Sequence, residues 1–346
     1  MLTFLVLTVS ERPDTTISSQ NYIFFCNYSN IPKKKLKKKS FNVVFSLFFS
    51  IKGVCAAILL ALFSKILYFC TMFTINMPYS GLMLLDSAKV MAIVNFTPDS
   101  FFEGSRLSSE GELRSRLDEV LSVGADIIDL GACSTRPGAE RASETQERER
   151  LSVALREVER WQATVSKRLP LSLDTYRPEI AAEACSKHQI DIINDVSGGS
   201  ERMYEVAAYH GAAYVLTHNG GFQRVADVVD FLQQRVDCLN RKGVHDIIID
   251  PGFGFQKTRE QDYLLLRHLG WIKQMLPLPL LAGMSRKRMV YEVLRSTPDR
   301  ALAGTIAANT IALMRGADIL RVHDVKEARD TISIAETFGR LPINNQ

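Results

Sequence analysis

Paired cysteines are missing from this chain. Six cysteines are present, Cys26, Cys55 and Cys70 early and Cys133, Cys185 and Cys238 later, and no two stand in a Cys-x-x-Cys pair. Lone thiols spread over a large domain exclude a disulfide framework and fit a reducing, cytoplasmic compartment. Cys133 alone neighbours a candidate site, and with no His or Asn arrangement around it, it reads as a packed thiol rather than a nucleophile. Basic charge is also scarce once the N-terminus is set aside. Residues 1–76 hold nine Lys or Arg against two Asp or Glu, so the total of +4 leaves residues 77–346 at −3. The main domain therefore offers no argument for nucleic acid binding.

The N-terminal stretch reads two ways. Lys33-Lys34-Lys35-Leu36-Lys37-Lys38-Lys39 precedes an apolar tract over 41–75 whose only charges are Lys52 and Lys65, a pattern that resembles a signal anchor. The basic cluster lies far from the N-terminus, however, and Lys65 falls inside the best span. We therefore read 1–76 as an extension outside the fold, with Met77 as the start of a domain over 77–346. Membrane association is expected only if the extension is a real anchor.

What is abundant is a repeated design. Ile247-Ile248-Ile249-Asp250-Pro251-Gly252 is a β-branched run that ends in a carboxylate and a turn, as suits a strand buried on both faces of a parallel sheet. Similar apolar runs over 90–95, 125–129, 171–174, 190–195, 213–218, 280–285 and 319–323 each hand over to a polar residue. Helical periodicity fills the intervals. Ser109 with Glu112 and Ser143 with Gln146 mark two helix starts. Eight alternating units predict a closed (β/α)8 TIM barrel, in which strand C-termini distant in sequence converge on one mouth.

That convergence defines the candidate site. Asn95 offers a neutral oxygen at the first strand end, suited to a metal or phosphate environment, and Asn95-Phe96-Thr97-Pro98-Asp99-Ser100 opens a long loop. Ser134-Thr135-Arg136-Pro137-Gly138 combines hydroxyls with a guanidinium, a composition for gripping an anion. Asp174, Asn194 and Asp250 place carboxylate, amide and carboxylate on one rim, matching a flat heterocycle with several N–H donors. A metal is the competing use of the two acids, although no His or Cys stands at ligand spacing. His218 suits a structural or a chemical role equally. Phe253 and Phe255 are positioned to wall an aromatic substrate, Lys287 to reach a ring carbonyl, and Arg321 with His323 to point inward as a phosphate seat.

Five segments in this order resemble the dihydropteroate synthase family over most of residues 88–340: 95–101, 134–139, 250–255, Ser285-Arg286-Lys287 and Arg321-Val322-His323-Asp324. The resemblance implies condensation of 6-hydroxymethyl-7,8-dihydropterin diphosphate with p-aminobenzoate in folate biosynthesis, with sulfonamides as inhibitors. It implies that Asp174, Asn194, Asp250 and Lys287 hold the pterin, that Asn95 helps bind magnesium, and that Arg136, Arg321 and His323 bind the diphosphate. Thr135, Pro137, Phe255 and Ser285 would border the p-aminobenzoate pocket, and a homodimer is expected. Asp174, Asp250, Lys287, Arg321 and His323 would act in catalysis. Departures from the usual pattern are Gly131-Ala132-Cys133 for Gly-Gly-Glu, Glu103 and Ser105 for Asp and Gly, Thr217-His218-Asn219 for a Met-His-Met type segment, and Gln256 for Gly. They bear on loop detail and inhibitor sensitivity. The alternatives are a pterin-dependent methyltransferase on the same barrel and a non-catalytic paralogue that binds pterin only.

Overall fold

The computed structural model describes residues 5–7, 22–24 and 340 as backbone, and residues 73–97, 109–133 and 142–339 in detail. The chain divides into two compact units, Met1–Thr71 and Met72–Gln346. In the first, strands β1 (Leu5–Leu7) and β2 (Tyr22–Phe24) pair antiparallel. The apolar tract read as a possible anchor lies almost wholly outside the described residues. Among the described residues, no helix is long and apolar enough to cross a membrane.

The second unit opens with a hairpin of β3 (Thr74–Met77) and β4 (Gly81–Leu84), followed by β5 (Lys89–Asn95), β6 (Ile127–Gly131), β7 (Leu171–Asp174), β8 (Ile192–Asp195), β9 (Ala213–Thr217), β10 (Ile247–Asp250), β11 (Leu281–Ala282) and β12 (Ile319–Val322). From β5 onward every pairing is parallel and runs in sequence order to β10, while β12 joins β5 to β11. A parallel bridge between Ile249 and Leu280, with Ile249 N donating to Pro279 O at 2.8 Å, closes the ring. The expected eight-stranded barrel is thus formed. Its seventh strand is far shorter than the expected 280–285, because the chain turns away after Ala282 through Gly283 and Met284.

The period of two along each strand divides the residues into two sets. Val90, Ala92, Val94, Ile128, Leu130, Leu171, Leu173, Leu320 and Val322 pack outward in the main core that also holds the helices' apolar faces. Met91, Ile127, Ile192, Ala213, Val215, Ile248, Leu281 and Ile319 form a separate interior cluster. One step further along the same inward rows, apolar residues give way to Asp129 on β6, Asn194 on β8, Asp250 on β10 and Arg321 on β12, and β7 adds Ser172 and Asp174. The barrel is therefore filled with hydrocarbon at one end and polar at its C-terminal mouth.

Ile75 and Met77 of the hairpin belong to the interior apolar cluster. Asn76 N donates to Asp246 Oδ1 at 2.7 Å, and the carboxylate of buried Asp191 accepts from Tyr79 N, Ser80 N and Ser80 Oγ at 3.0, 2.9 and 2.7 Å. The hairpin is thus a plug latched onto the apolar end of the barrel. This corrects the expected boundary between Asn76 and Met77, which would cut through β3. The fold takes in residues upstream of Met77 because an open barrel end exposes hydrocarbon that the hairpin covers.

The helices start where expected. The helix Glu110–Ser122, here α1, is capped by Ser109, which accepts from Glu112 N at 3.2 Å, and α2 (Glu144–Gln162) has a complete capping box between Ser143 and Gln146. The remaining helices are α3 (Pro178–Lys187), α4 (Glu201–His210), α5 (Val225–Lys242), α6 (Arg259–Met275), α7 (Arg288–Tyr291), α8 (Leu302–Met314) and α9 (Val325–Arg340).

Candidate active site

Asp129 organises the mouth. Its fully buried carboxylate accepts from Arg321 Nε at 2.6 Å, from Ser172 Oγ at 2.6 Å and from Asn194 Nδ2 at 3.1 and 3.2 Å. Arg321 also donates through Nη2 to Asp174 Oδ2. The other oxygen of Asp174 is buried and has no hydrogen-bond partner among the described residues. With its amide nitrogen committed to Asp129, Asn194 presents Oδ1. Together with Asp250 the site offers acceptors from three strands.

Burial raises the Asp174 carboxyl to about 7 against the opposing pull of Arg321, with Asp129 adding to the rise. Burial likewise raises Asp250, opposed by Lys287 and by the hydrogen bond from Gly252 N at 2.7 Å. Arg321 stays firmly charged: burial works against it, but Asp129 and Asp174 outweigh that cost. Gly131 permits the close approach of two strand ends, since a Cβ there would stand 3.1 Å from Asn95 Oδ1 and 3.5 Å from the Asp174 Cβ.

Opposite these acids, Lys287 donates to Phe253 O at 2.6 Å and stands 4.5 Å from the centroid of the Phe255 ring. Desolvation lowers its ammonium to about 8, with Asp250 opposing the fall. Gly252, at φ +75, allows no side chain, because a Cβ would lie 2.0 Å from His218 O. At the last strands, Ser285 Oγ accepts from His323 N at 3.2 Å, and His323 O accepts from Arg116 Nη2 at 2.6 Å. Between Ser285 and Lys287, Arg286 takes a left-handed φ of +54 and grips Asp324 with two hydrogen bonds of 2.9 and 2.7 Å.

The mouth thus collects Asn95, Asp174, Asn194, Asp250, Phe255, Ser285, Lys287, Arg321 and His323. Thr135, Arg136 and Pro137 lie outside the described residues. Arg321 points inward as expected, but it is engaged by two carboxylates rather than standing as an open phosphate seat. His218 falls on the structural side of its two readings. Its ring packs edge-on to Phe231 and Phe222 at 4.9 and 6.4 Å, and burial, aided by Lys257, lowers it to about 4, leaving it neutral.

Asp129 closes the apolar run 125–129 in the sequence, but that position assigns it no role, since its strand continues to Gly131 and its partners lie on three other strands. The signal was there: in 127–131 it is the one charged position, and it shares the inward row with Ile127 and Gly131. Lys257 was also missed, passing for a loop charge although it is buried and donates to His218 O at 2.9 Å.

Residues 91–323 match the model of a family described as pterin binding enzymes. A dihydropteroate synthase of Neisseria meningitidis serogroup C is 36% identical over 272 residues, covering 74% of this chain and 94% of that protein. Among solved structures, the Xanthomonas albilineans dihydropteroate synthase with 4-aminobenzoic acid superposes with a TM-score of 0.70 at 33% identity, covering 78% of this chain and 99% of that one. The Yersinia pestis dihydropteroate synthase in complex with a sulfonamide drug gives a TM-score of 0.71 at 32% identity, covering 78% and 100%.

Proposed function

Since the chain belongs to the pterin-binding enzymes and, among them, to the dihydropteroate synthases, we propose a division of labour at its barrel mouth for joining a pterin diphosphate to p-aminobenzoate. Asp174, Asn194 and Asp250 accept the N–H groups of the pterin, and Lys287 donates to its ring carbonyl. The single observation that carries this assignment is the double donation of Asn194 to Asp129, which turns an ambiguous amide into an acceptor and makes the three strand ends a uniform acceptor set.

In the reaction the bond between the pterin methylene carbon and the diphosphate oxygen breaks, and its electron pair leaves with diphosphate. The neutral aniline nitrogen of p-aminobenzoate forms the new C–N bond and loses a proton. Arg136, Arg321 and His323 favour the charge that builds on the leaving group, while the acids favour the electron-poor pterin. Thr135, Pro137, Phe255 and Ser285 border the aryl amine.

Magnesium belongs to the same proposal. Asn95 Oδ1 is a hard neutral oxygen brought to the mouth beside Asp174 by the missing side chain of Gly131. Among the described residues no cluster of His, Cys, Asp and Glu could hold a metal by itself. That donor set fits an ion that takes few protein ligands and completes its shell with water and substrate phosphate. When bound, magnesium would neutralise phosphate charge.

A homodimer and a cytoplasmic location complete the proposal. Exposed Ile311 and Met314 on α8, and Ile334 and Phe338 on α9, are apolar pairs at helical spacing on two helices in mutual contact, suited to cover by a second copy. Cys185 and Cys238 are free thiols, in keeping with a reducing compartment.

The test is to incubate the purified full chain with 6-hydroxymethyl-7,8-dihydropterin diphosphate, p-aminobenzoate and magnesium and to measure dihydropteroate. Product with release of diphosphate is expected. Pterin binding without product would instead favour a non-catalytic or methyl-transferring relative.

A further inference from the structure

The loop after β10 is held residue by residue. Asp250 Oδ1 accepts from Gly252 N at 2.7 Å, Lys287 Nζ donates to Phe253 O at 2.6 Å, Asp262 Oδ1 accepts from Gly254 N at 2.7 Å, and Lys257 Nζ donates to Phe255 O at 3.3 Å. Two of these four side chains, Asp250 and Lys287, belong to the site described above. The other two do not. Asp262 and Lys257 are both buried, with 0% and 2% of their surface exposed.

Two fully desolvated charges are an expensive way to hold backbone unless the conformation they enforce matters. Lys257 spans two loops, since Nζ also donates to His218 O at 2.9 Å just after β9. The same two loops are joined again by Gln256 Nε2 donating to Asn219 Oδ1 at 3.0 Å, while Asn219 Nδ2 donates to Val196 O at 2.7 Å. Gln256 stands at φ +50, a conformation that favours glycine.

What the loop carries is Phe255, whose ring lies against the Lys287 ammonium. We propose that Lys257 and Asp262 are positioning residues that set the Phe255 wall, and through it the recognition of the aryl amine, with the Asn219 and Gln256 bridge as a further tether between the two loops. The inference rests on the reading that Phe255 borders p-aminobenzoate.

Steady-state kinetics of the full chain with both substrates varied test this. Lys257→Met and Asp262→Ala are expected to raise the KM for p-aminobenzoate about tenfold, the scale of one lost hydrogen bond to a charged group, while the KM for the pterin diphosphate moves less than about twofold. Asp262→Asn keeps an acceptor for Gly254 N and is expected to restore most of the loss. This isosteric variant also keeps the question open to measurement if Asp262→Ala does not fold. Equal rises in both KM values, or none, would overturn the proposal. Phe255→Ala measured alongside separates the two levels. If it raises the KM for p-aminobenzoate while Lys257→Met does not, the wall is correctly placed and the positioning role is wrong. If Phe255→Ala leaves that KM unmoved, the wall itself is misassigned and the proposal falls with it.

Discussion

Asn194 donates its amide nitrogen to both oxygens of Asp129, at 3.1 and 3.2 Å, and Asp129 is in turn the partner of Arg321 Nε at 2.6 Å. One buried carboxylate on β6 therefore sets what β8 and β12 show to a ligand. An amide that is free to flip would match a donor or an acceptor equally well. Here only the acceptor faces outward, and the selectivity of the mouth follows from a residue that need not touch the ligand.

Asp129→Asn tests this relationship. The substituted amide can accept through one atom only, so the bond from Arg321 Nε or that from Asn194 weakens, and Asn194 becomes free to turn its nitrogen toward the pterin. Pterin affinity is expected to fall roughly ten- to hundredfold, corresponding to about 1–3 kcal/mol, with the fold retained. Calorimetric titration with the pterin substrate reads this directly. An unchanged dissociation constant would mean that Asp129 does not set the amide.

Asp250→Ala removes an acceptor at the mouth itself. Among the described residues, one side-chain hydrogen bond, that from Gly252 N, is lost with it, so circular dichroism should remain that of the parent protein. Pterin binding should weaken by about a hundredfold or more, since a charged acceptor is lost from a desolvated site. Affinity within a few-fold of the parent would place the ring elsewhere in the barrel.

Asp174 near 7 and Lys287 near 8 predict a narrow pH window. The ionised Asp174 is the better acceptor, so pterin binding should strengthen as pH rises through about 7. The protonated Lys287 is the donor, so binding should weaken as pH rises through about 8, giving a bell with its top between them. The stability terms carry their own signs. Asp174 is raised on folding, so its contribution is complete below the unfolded value near 3.8 and lost as pH climbs through about 7. Lys287 is lowered, so stability grows between about 8 and the unfolded value near 10.5. Asp174→Asn should abolish the rising limb of binding. A parent profile flat from pH 6 to 9 would remove both assignments.

Most of the barrel was legible because each strand is a short apolar run with a polar end, and each helix has a cap and an apolar face. β11 was overread because apolar residues continue past Ala282, whereas the backbone turns at Gly283 where strand pairing ends. The acids at strand ends, Asp174 and Asp250, announced themselves by position. Asp129 also ends an apolar run, but its role stayed hidden because it comes from three partners 43 to 192 residues away, contacts that periodicity does not encode. Lys257 looked like an ordinary loop charge for the same reason.

The hairpin was hidden for another reason, since residues 72–76 share the apolar composition of the tract before them, and composition alone put the boundary too late. Its register, Thr74 opposite Leu84, Ile75 opposite Met83 and Asn76 opposite Leu82, shows what a chain beginning at Met77 lacks. Such a chain would lose the fully buried Ile75 and three of the four pairs, leaving the apolar floor of Met91, Ile127, Ile248 and Ile319 partly open to water. Ile75→Ala alone should cost about 2–5 kcal/mol through the cavity it leaves. The two shortened chains, 72–346 and 77–346, should differ by more than that, because hydrogen bonds to Asp246 and across the hairpin go as well. Urea unfolding midpoints of the two chains measure the difference. Equal midpoints would mean that the plug adds nothing to stability and that the barrel closes on its own strands.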